Sequence, residues 1–288
     1  MADAPKNIAA SVKQRLFNMA RTQGRGFDIL LVRFALERLL FRLSQSAHRE
    51  NYILKGGMLV TQWLDHDNRE TRDADFLGFG EADVETIKAI FAEIMAITSE
   101  DGLDFDIGAI AATTIRKEAE YDGIRLKTFA YLGRTRIPVT LDIAFGDVLA
   151  DASQTVDYPS LLDMERPSIR TYPPAQVIAE KFQAMVALGL ANGRMKDFYD
   201  LWAIPKALPI DDQALDTAIA ATFERRTTPV PKERPSGLSA AMAEDAAAQQ
   251  RWRAYVESLE LPVPDFTDVL EDIWALLAPS CVRLNAAK

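Results

Sequence analysis

Two aspartates separated by one residue, Asp73 and Asp75, are the residues of this sequence whose types and spacing most directly indicate chemistry. In a β-strand, residues two apart face the same side, so both carboxylates lie on one face. Neighbouring carboxylates repel each other unless a cation lies between them. Such hard oxygen ligands suit Mg²⁺ held together with substrate phosphates. The flanking Phe76, Leu77 and Phe79 are apolar, which places the aspartate pair at the edge of a buried strand. The alternative interpretation of the pair is a solvated acidic loop.

A glycine pair precedes these aspartates in the sequence. Lys55, Gly56 and Gly57 lead into a helix-like segment over residues 58–64. Glycines before a helix let backbone N–H groups approach a phosphate, and the helix N-terminus favours the anion. An ordinary turn is the alternative interpretation of the pair. The spacing from Gly57 to Asp73 leaves room for one helix and a loop, so a phosphate-binding turn and a metal pair could meet at one end of a sheet.

A third aspartate, Asp142, lies in a segment of alternating hydrophobicity. It falls on the face opposite the apolar Val139, Leu141 and Ile143. If its strand lies beside the Asp73 strand, Asp142 becomes a third ligand. Three carboxylates around one or two Mg²⁺ ions form a phosphoryl- or nucleotidyl-transfer site. An ordinary exposed strand residue is the alternative.

The second half of the chain adds a lysine and an aspartate. Lys181 interrupts the apolar stripe of a helix that begins near Pro173. This lysine either neutralises the charge of a triphosphate or extends its ammonium group past apolar neighbours into solvent. In the next helix Arg194, Asp197 and Asp200 share a face by their spacing of three. Surface ion pairs are the alternative interpretation of that spacing.

The periodicity that positions these residues changes along the chain. It predicts an α+β fold, in which a small mixed sheet with flanking helices is followed by an all-helical C-terminal half. We expect two domains, 1–165 and 166–288. The predicted elements are helices within 8–46 interrupted at Gly24–Gly26, a helix over 83–97, a strand over 105–110, a hairpin around Gly133 and helices from Pro173 onward with a loop over 227–237.

Composition excludes several classes of protein. The single cysteine, Cys281, excludes a disulfide framework within the chain, and two histidines, His48 and His66, are too few for a histidine-rich metal site or a histidine–aspartate phosphohydrolase. No apolar run reaches about 18 residues, and the N-terminal segment lacks an apolar core, so we expect no transmembrane helix and no signal peptide. A cytoplasmic location is the expectation.

Charge is distributed unevenly. The formal net charge is −9, which argues against nucleic-acid binding. However, residues 1–49 hold nine Lys and Arg against three Asp and Glu, whereas residues 50–106 hold four against fourteen. This distribution leaves the basic N-terminal helices as a candidate surface for an anionic partner.

Five segments in order resemble the motifs of a known family: LKGGMLVTQW, RETRDADF, LDIAFGD, AEKFQAMV and GRMKDFYDLW. They resemble those of the AbiEii/MenT-type nucleotidyltransferase toxins, of the DNA polymerase β-like nucleotidyltransferase superfamily, over roughly residues 50–205. The resemblance implies a nucleotidyltransferase-type sheet and an Mg²⁺-dependent enzyme. That enzyme would transfer a nucleoside monophosphate (NMP) from a nucleoside triphosphate (NTP) to RNA. The implied acceptor is the tRNA 3′ end, whose modification blocks translation in a toxin–antitoxin or phage-defence system.

The resemblance also implies roles for individual residues. Asp73 and Asp75 match the metal-binding carboxylates, and Asp142 matches the strand aspartate of the superfamily. Lys181 resembles the lysine that engages the triphosphate, and Asp197 resembles an aspartate needed for activity. The residues matched to nucleotide binding are Lys55, Gly56, Gly57, Arg69, Thr71 and Lys181. One departure is Met58, where the family often has a small or hydroxylated residue, so nucleotide preference is expected to differ.

The implied partners are an NTP, an RNA, a cognate antitoxin protein and no membrane. The basic N-terminal helices and the hairpin residues Arg125, Lys127, Arg134 and Arg136 are candidates for contacts with the RNA backbone. One alternative keeps this fold without catalysis, as a binding or regulatory protein. A glycosyltransferase with an Asp-x-Asp motif is disfavoured, because it needs several parallel βαβ units and the chain instead has hairpin patterns.

Overall fold

The computed structural model of the chain describes residues 7–64, 70–117, 121–149, 153–259 and 261–286, and they form two compact units. The predicted domain boundaries, 1–165 and 166–288, stay a prediction. The described residues of Met1–Gln62, Glu70–Gly146 and Gln154–Thr171 form the first unit, and those of Trp63–Arg69, Asp147–Ser153 and Tyr172–Lys288 form the second.

The first unit is built on a mixed sheet, as predicted. Within the described part of the chain the sheet has eight strands in the order β3-β5-β6-β2-β1-β8-β7, and β4 pairs with β5 on the same edge as β3, at the other end of that strand. The pairs β2–β6 and β1–β8 are parallel, and the remaining pairs are antiparallel. The strands are β1 Tyr52–Lys55, β2 Ala74–Gly78, β3 Leu103–Phe105, β4 Ala111–Lys117, β5 Tyr121–Leu132, β6 Thr135–Phe145, β7 Gln154–Asp157 and β8 Ser168–Thr171.

Four helices precede or connect the strands of this sheet. They are α1 Ile8–Gln23, α2 Phe27–Gln45, α3 Gly56–Trp63 and α4 Val84–Ala96. The predicted interruption near Gly24 is confirmed, because this glycine ends α1 in the left-handed conformation that side chains disfavour. Helix α2 contacts β6, and α4 contacts β4 and β5. The alternating apolar residues of β6 are buried, as predicted: Ile137, Val139, Leu141 and Ile143.

The strand predicted over residues 105–110 is wrong in its extent. Strand β3 ends at Phe105, and the Asp106 side chain accepts a hydrogen bond from the Ala109 backbone N–H at 3.1 Å. This bond stabilises a single 3-10 turn over Ile107–Ala109, because a short aspartate side chain offers the backbone an alternative to the sheet. The extended chain resumes in β4.

The second unit confirms the predicted all-helical C-terminal half. From residue 172 onward, its described residues form helices and loops without a strand. Within this described part of the chain, no helix is long and apolar enough to span a membrane. The helices are α5 Pro174–Leu188, α6 Met195–Ala207, α7 Asp212–Arg225, α8 Ala240–Glu244, α9 Ala246–Leu259 and α10 Phe266–Ala286.

Two arginines of α2 are buried rather than available to RNA. Arg38 and Arg42 are each only 2% exposed. Arg42 binds both carboxylate oxygens of Asp101 at 2.6 and 3.1 Å, and Arg38 Nε lies 3.1 Å from the same carboxylate. Burial alone would raise the pKa of Asp101, but hydrogen bonds from Arg42 and from the Leu103 N–H lower it. The interpretation of this whole basic segment as an RNA-facing surface is therefore wrong for these two side chains.

Replacement of Asp101 by asparagine is expected to destabilise the fold by about 3–5 kcal/mol, because it leaves the buried Arg42 guanidinium without its carboxylate and Arg38 with only the more distant Glu37 at 3.8 Å. Urea unfolding followed by circular dichroism measures this loss. The matched control is Asp104→Asn on β3, whose exposed side chain predicts a change within about 0.5 kcal/mol. Equal effects of the two substitutions would show that Asp101 is not the counter-ion that holds this cluster.

Candidate active site

A row of charged side chains crosses four neighbouring strands of the sheet. Asp75 on β2 lies in register with Asp142 on the parallel strand β6 and with Lys55 on the antiparallel strand β1. Asp142 lies in register with Arg125 on β5. Register partners face the same side of a sheet. Lys55, Asp75, Asp142 and Arg125 therefore form one row, hereafter the charged row, with Asp73 directly before β2 at its edge.

The central carboxylate of this row is tightly held. Asp142 is 7% exposed, so it is not the ordinary exposed strand residue that was the alternative. Arg125 donates from Nε to Oδ1 at 2.7 Å and from Nη2 to Oδ2 at 2.6 Å. The hydrogen bonds with Asp142, together with the charges of Asp142, Asp73 and Asp75, raise the pKa of the Arg125 guanidinium despite its partial burial. Arg125 was interpreted from sequence as an RNA contact, and the structure instead places it on the charged row.

Asp73 is oriented by a nearby hydroxyl group. The buried Thr71 donates a hydrogen bond to Asp73 Oδ1 at 2.9 Å. Thr71 was predicted to bind nucleotide, and that role stays a prediction; the structure shows that its hydroxyl group holds the Asp73 carboxylate. The companion prediction, Arg69, lies outside the described residues.

The glycine pair lies against the Asp75 carboxylate. Gly56 has φ of +64°, and a Cβ atom at this position would overlap the Asp75 side chain. The Gly57 N–H points to Asp75 Oδ2 at 3.4 Å. Sequence and structure therefore agree that the glycine turn and the aspartate pair meet at one place, because only glycine combines this backbone conformation with so close an approach.

Replacement of Gly56 by alanine is expected to lower nucleotidyl transfer by about 10²-fold, because a displacement of Asp75 by about 1 Å is enough for such a loss. Steady-state transfer assays measure this effect. Gly24→Ala is the matched control, since Gly24 has nearly the same φ, +66°, but no atom within 4 Å of an added Cβ. If both variants lose activity equally, backbone strain explains the loss and the contact with Asp75 does not.

The donor set of the charged row fits a hard divalent cation. Within the described residues no three His, Cys, Asp or Glu side chains converge on a common metal position, and Asp142 is engaged by Arg125. Mg²⁺, however, is commonly held by one or two carboxylates together with substrate phosphates and water. Asp73 and Asp75 supply such a pair beside the glycine turn. The role of Asp142 as a third ligand stays a prediction.

A second cluster lies within the helical unit. Lys181 on α5 forms an ion pair with Asp197 on α6, and its Nζ lies 2.9 Å from Asp200 Oδ2. Asp200 is fully buried. The pairing brings together the two predicted residues, Lys181 and Asp197. Sequence reasoning missed Asp200 as a partner of Lys181, although its spacing of three from Asp197 was the available signal.

A cavity of about 460 Å³ opens beside Asp197 within the helical unit. Asp197, the ion-pair partner of Lys181, borders this cavity, and the role of Lys181 at a triphosphate stays a prediction. The residues that line it are Gly193, Arg194, Met195, Lys196, Asp197 and Tyr255.

A solved structure shares the fold at low sequence identity. A Helicobacter pylori protein described as a candidate nucleotidyltransferase superposes with a TM-score of 0.52 at 10% identity, over 90% of this chain and 97% of that chain. A second protein, JHP933 from Helicobacter pylori, superposes with a TM-score of 0.49 at 11% identity, over 88% and 92% of the two chains. No curated protein matches the chain significantly in sequence.

A family model identifies the chain more specifically. The model for the nucleotidyl transferase AbiEii toxin of type IV toxin–antitoxin systems matches residues 38–278, most of the chain. The match includes the charged row, the glycine turn and the Lys181 cluster, and it confirms the resemblance drawn from the five sequence segments. The chain therefore belongs to the AbiEii family of nucleotidyltransferase toxins.

Proposed function

We propose that this protein is an Mg²⁺-dependent nucleotidyltransferase toxin that transfers an NMP from an NTP to the 3′ end of an RNA. We further propose tRNA as the acceptor and blocked translation as the consequence. The observation that carries the proposal is the charged row, in which Asp75 and Asp142 face the same side on adjacent strands. A glycine turn presses against Asp75, and Asp73 lies at the edge of the row.

In this proposal, two of the carboxylates bind the metal ion. Asp73 and Asp75 hold the metal, and Thr71 keeps Asp73 in a fixed orientation through its hydroxyl group. Bound Mg²⁺ supplies two effects, a lowered pKa of the acceptor hydroxyl and neutralisation of the charge that develops on pyrophosphate. Asp142 has its negative charge balanced by Arg125, which keeps the excess negative charge of the row small before substrate binds.

The remaining residues act on the nucleotide. The backbone of Gly56 and Gly57, at the start of α3, offers N–H groups to phosphate oxygens. Lys55 carries a positive charge next to Asp75 in the row. Lys181 engages the triphosphate, and Asp197 orients its ammonium group. These roles need no side chain to form a covalent intermediate, since the 3′-hydroxyl attacks the α-phosphate directly and pyrophosphate leaves.

The biological setting is part of the proposal. Membership of a toxin–antitoxin family implies a cognate antitoxin as partner and a nucleotide as substrate. We infer that the toxin acts in the cytoplasm, where its RNA acceptor and NTPs are present, and that phage defence is one use of such a system.

The test is an incorporation assay with the purified chain. It is incubated with Mg²⁺, total RNA and each of the four labelled NTPs in turn, and the products are separated by size. Label on a tRNA-sized band with one preferred NTP is the expected result. NTP binding without label on any RNA would instead favour the non-catalytic alternative, a binding or regulatory protein with this fold.

A further inference from the structure

The outer face of the long hairpin carries cations and aromatic rings. On β5 the side chains Lys127, Phe129 and Tyr131 face away from the buried core, and on β6 Arg136 lies in register with Tyr131. Arg134 lies in the turn that joins the two strands. Lys127, Arg134 and Arg136 are exposed, while Phe129 and Tyr131 are half-buried. We call these five residues the basic–aromatic strip.

The strip is continuous with the charged row. Lys127 is two residues from Arg125 on the same strand, so both side chains face the same side of the sheet. Arg136 lies six residues before Asp142 on β6, which at about 3.3 Å per residue places the far end of the strip about 20 Å from the row. A chain lying on the strip would thus reach the proposed catalytic carboxylates at one end.

Two side chains of the strip already form a stacked layer. The Arg136 guanidinium lies 3.4 Å from the centre of the Phe129 ring. A guanidinium group is planar and positively charged, and planar guanidinium groups and aromatic rings stack with unpaired bases. Tyr131 adds a second ring on the same face. Stacking on such surfaces tolerates every base, because each base has a π-face.

The charge of the face also favours a polyanion. The strip has three cations, and its strand neighbours on this face are mostly neutral, such as Thr140 opposite Lys127 and Pro138 opposite Phe129. Asp104, opposite Tyr131 on the edge strand β3, is an acidic neighbour. A cationic strip on a chain of net charge −9 concentrates positive potential where an anion can bind.

We propose that the basic–aromatic strip binds the single-stranded 3′ segment of the acceptor RNA, with phosphates on Lys127, Arg134 and Arg136 and bases stacked on Tyr131 and on the Arg136 guanidinium, which the Phe129 ring supports from below. The proposal rests on the proposed function for the identity of the acceptor. It goes further in assigning the surface, the single-stranded state of the bound RNA and the residues that hold it.

The test measures RNA binding without catalysis. A 5′-fluorescent single-stranded RNA of twelve nucleotides is titrated with the protein, in the absence of NTP, at several salt concentrations. Lys127→Ala and Arg136→Ala are expected to weaken binding and to reduce the salt slope by about 0.7 for each phosphate that is no longer neutralised. Phe129→Leu, which keeps apolar volume but removes the ring, is expected to weaken binding by about 5-fold or more.

The matched control is Lys88→Ala on α4, the helix that contacts β4 and β5. It removes the same charge away from the strip and is expected to leave affinity and salt slope unchanged. Unchanged affinity in all three strip variants would overturn the proposal. Equal affinity of the wild-type protein for a fully paired hairpin RNA would also contradict it, since paired bases are not free to stack on the strip.

The transfer assay separates this inference from the proposed function. If the wild-type protein binds the RNA through the strip but adds no nucleotide, the proposed activity fails and the strip stands. If the wild-type protein adds nucleotides and the strip variants keep their KM for RNA, the strip fails and the activity stands. Melting curves for each variant establish that the fold is intact.

Discussion

Replacement of Asp75 by asparagine is expected to lower nucleotidyl transfer by about 10³-fold while the fold remains intact. The change removes one negative charge from the carboxylate pair that holds the metal in our account. Metal stabilisation of developing charge contributes several kcal/mol, and each 1.4 kcal/mol corresponds to about a factor of ten in rate. Asparagine has nearly the same shape as aspartate, so the close contact with Gly56 and Gly57 is preserved.

The measurement is kcat/KM for label transfer, together with the melting temperature. Asp157→Asn on β7 is the matched control, because it removes an exposed carboxylate from the same sheet away from the charged row. Full activity of Asp75→Asn with a normal melting temperature would exclude this residue as a metal ligand. Asp73→Ala is expected to abolish transfer as well.

The second large effect is expected at Lys181. Replacement by methionine should lower kcat/KM for the NTP by roughly 10²–10³-fold. Removal of one preorganised group that stabilises developing charge has an effect of this size in other enzymes. The same change removes the ammonium group from the buried Asp200 carboxylate, which costs stability. The double variant Lys181→Met with Asp200→Asn removes that charge as well and should fold better while remaining inactive.

The control for this substitution is Lys206→Met on the same helix as Asp197. Lys206 is exposed and pairs with Asp272 at 3.0 Å, an interaction worth at most about 1 kcal/mol. We expect its NTP kinetics to equal those of the wild type. If the folded double variant is fully active, Lys181 is a structural residue of the helical unit and not a nucleotide ligand.

Much of the candidate site follows from local pattern. The alternation of Val139, Leu141 and Ile143 put Asp142 on the opposite face of its strand, and the glycine pair before a helix indicated a close approach of the backbone. Both are properties of a few neighbouring residues, so sequence reveals them. Whether Asp142 joins Asp75 depends on which strands are neighbours, and only the parallel pairing of β2 and β6 answers that question.

The parts that sequence did not reveal depend on distant partners. Arg38 and Arg42 belong to the basic N-terminal helices that were a candidate surface for RNA, but Asp101, 59 residues after Arg42, stabilises their burial. The position of Arg125 was likewise not revealed by sequence, because its partner Asp142 lies on the neighbouring strand. Strands β7 and β8 have only four residues each, too few for a recognisable alternation.

The charge distribution is now explained in part by these contacts. The acidic segment 50–106 contains Asp73 and Asp75 of the candidate site, and also Asp101, which forms ion pairs with the two buried arginines. The cations proposed to bind RNA lie on the hairpin. In contrast, Arg38 and Arg42 of the basic N-terminal segment are buried and form ion pairs within the fold. Net charge alone is therefore a poor guide to the partner of this protein.

Nucleotidyl transfer is tested most directly with one NTP that is labelled, in two separate preparations, at two different phosphates. With label at the α-phosphate, nucleotidyl transfer predicts labelled RNA and release of one pyrophosphate for each nucleotide added. With label at the γ-phosphate, it predicts label in pyrophosphate and none on RNA. Oxidation of the RNA 3′-terminal ribose should prevent incorporation. Transfer of the γ-label to RNA, or no incorporation from any α-labelled NTP, would contradict nucleotidyl transfer.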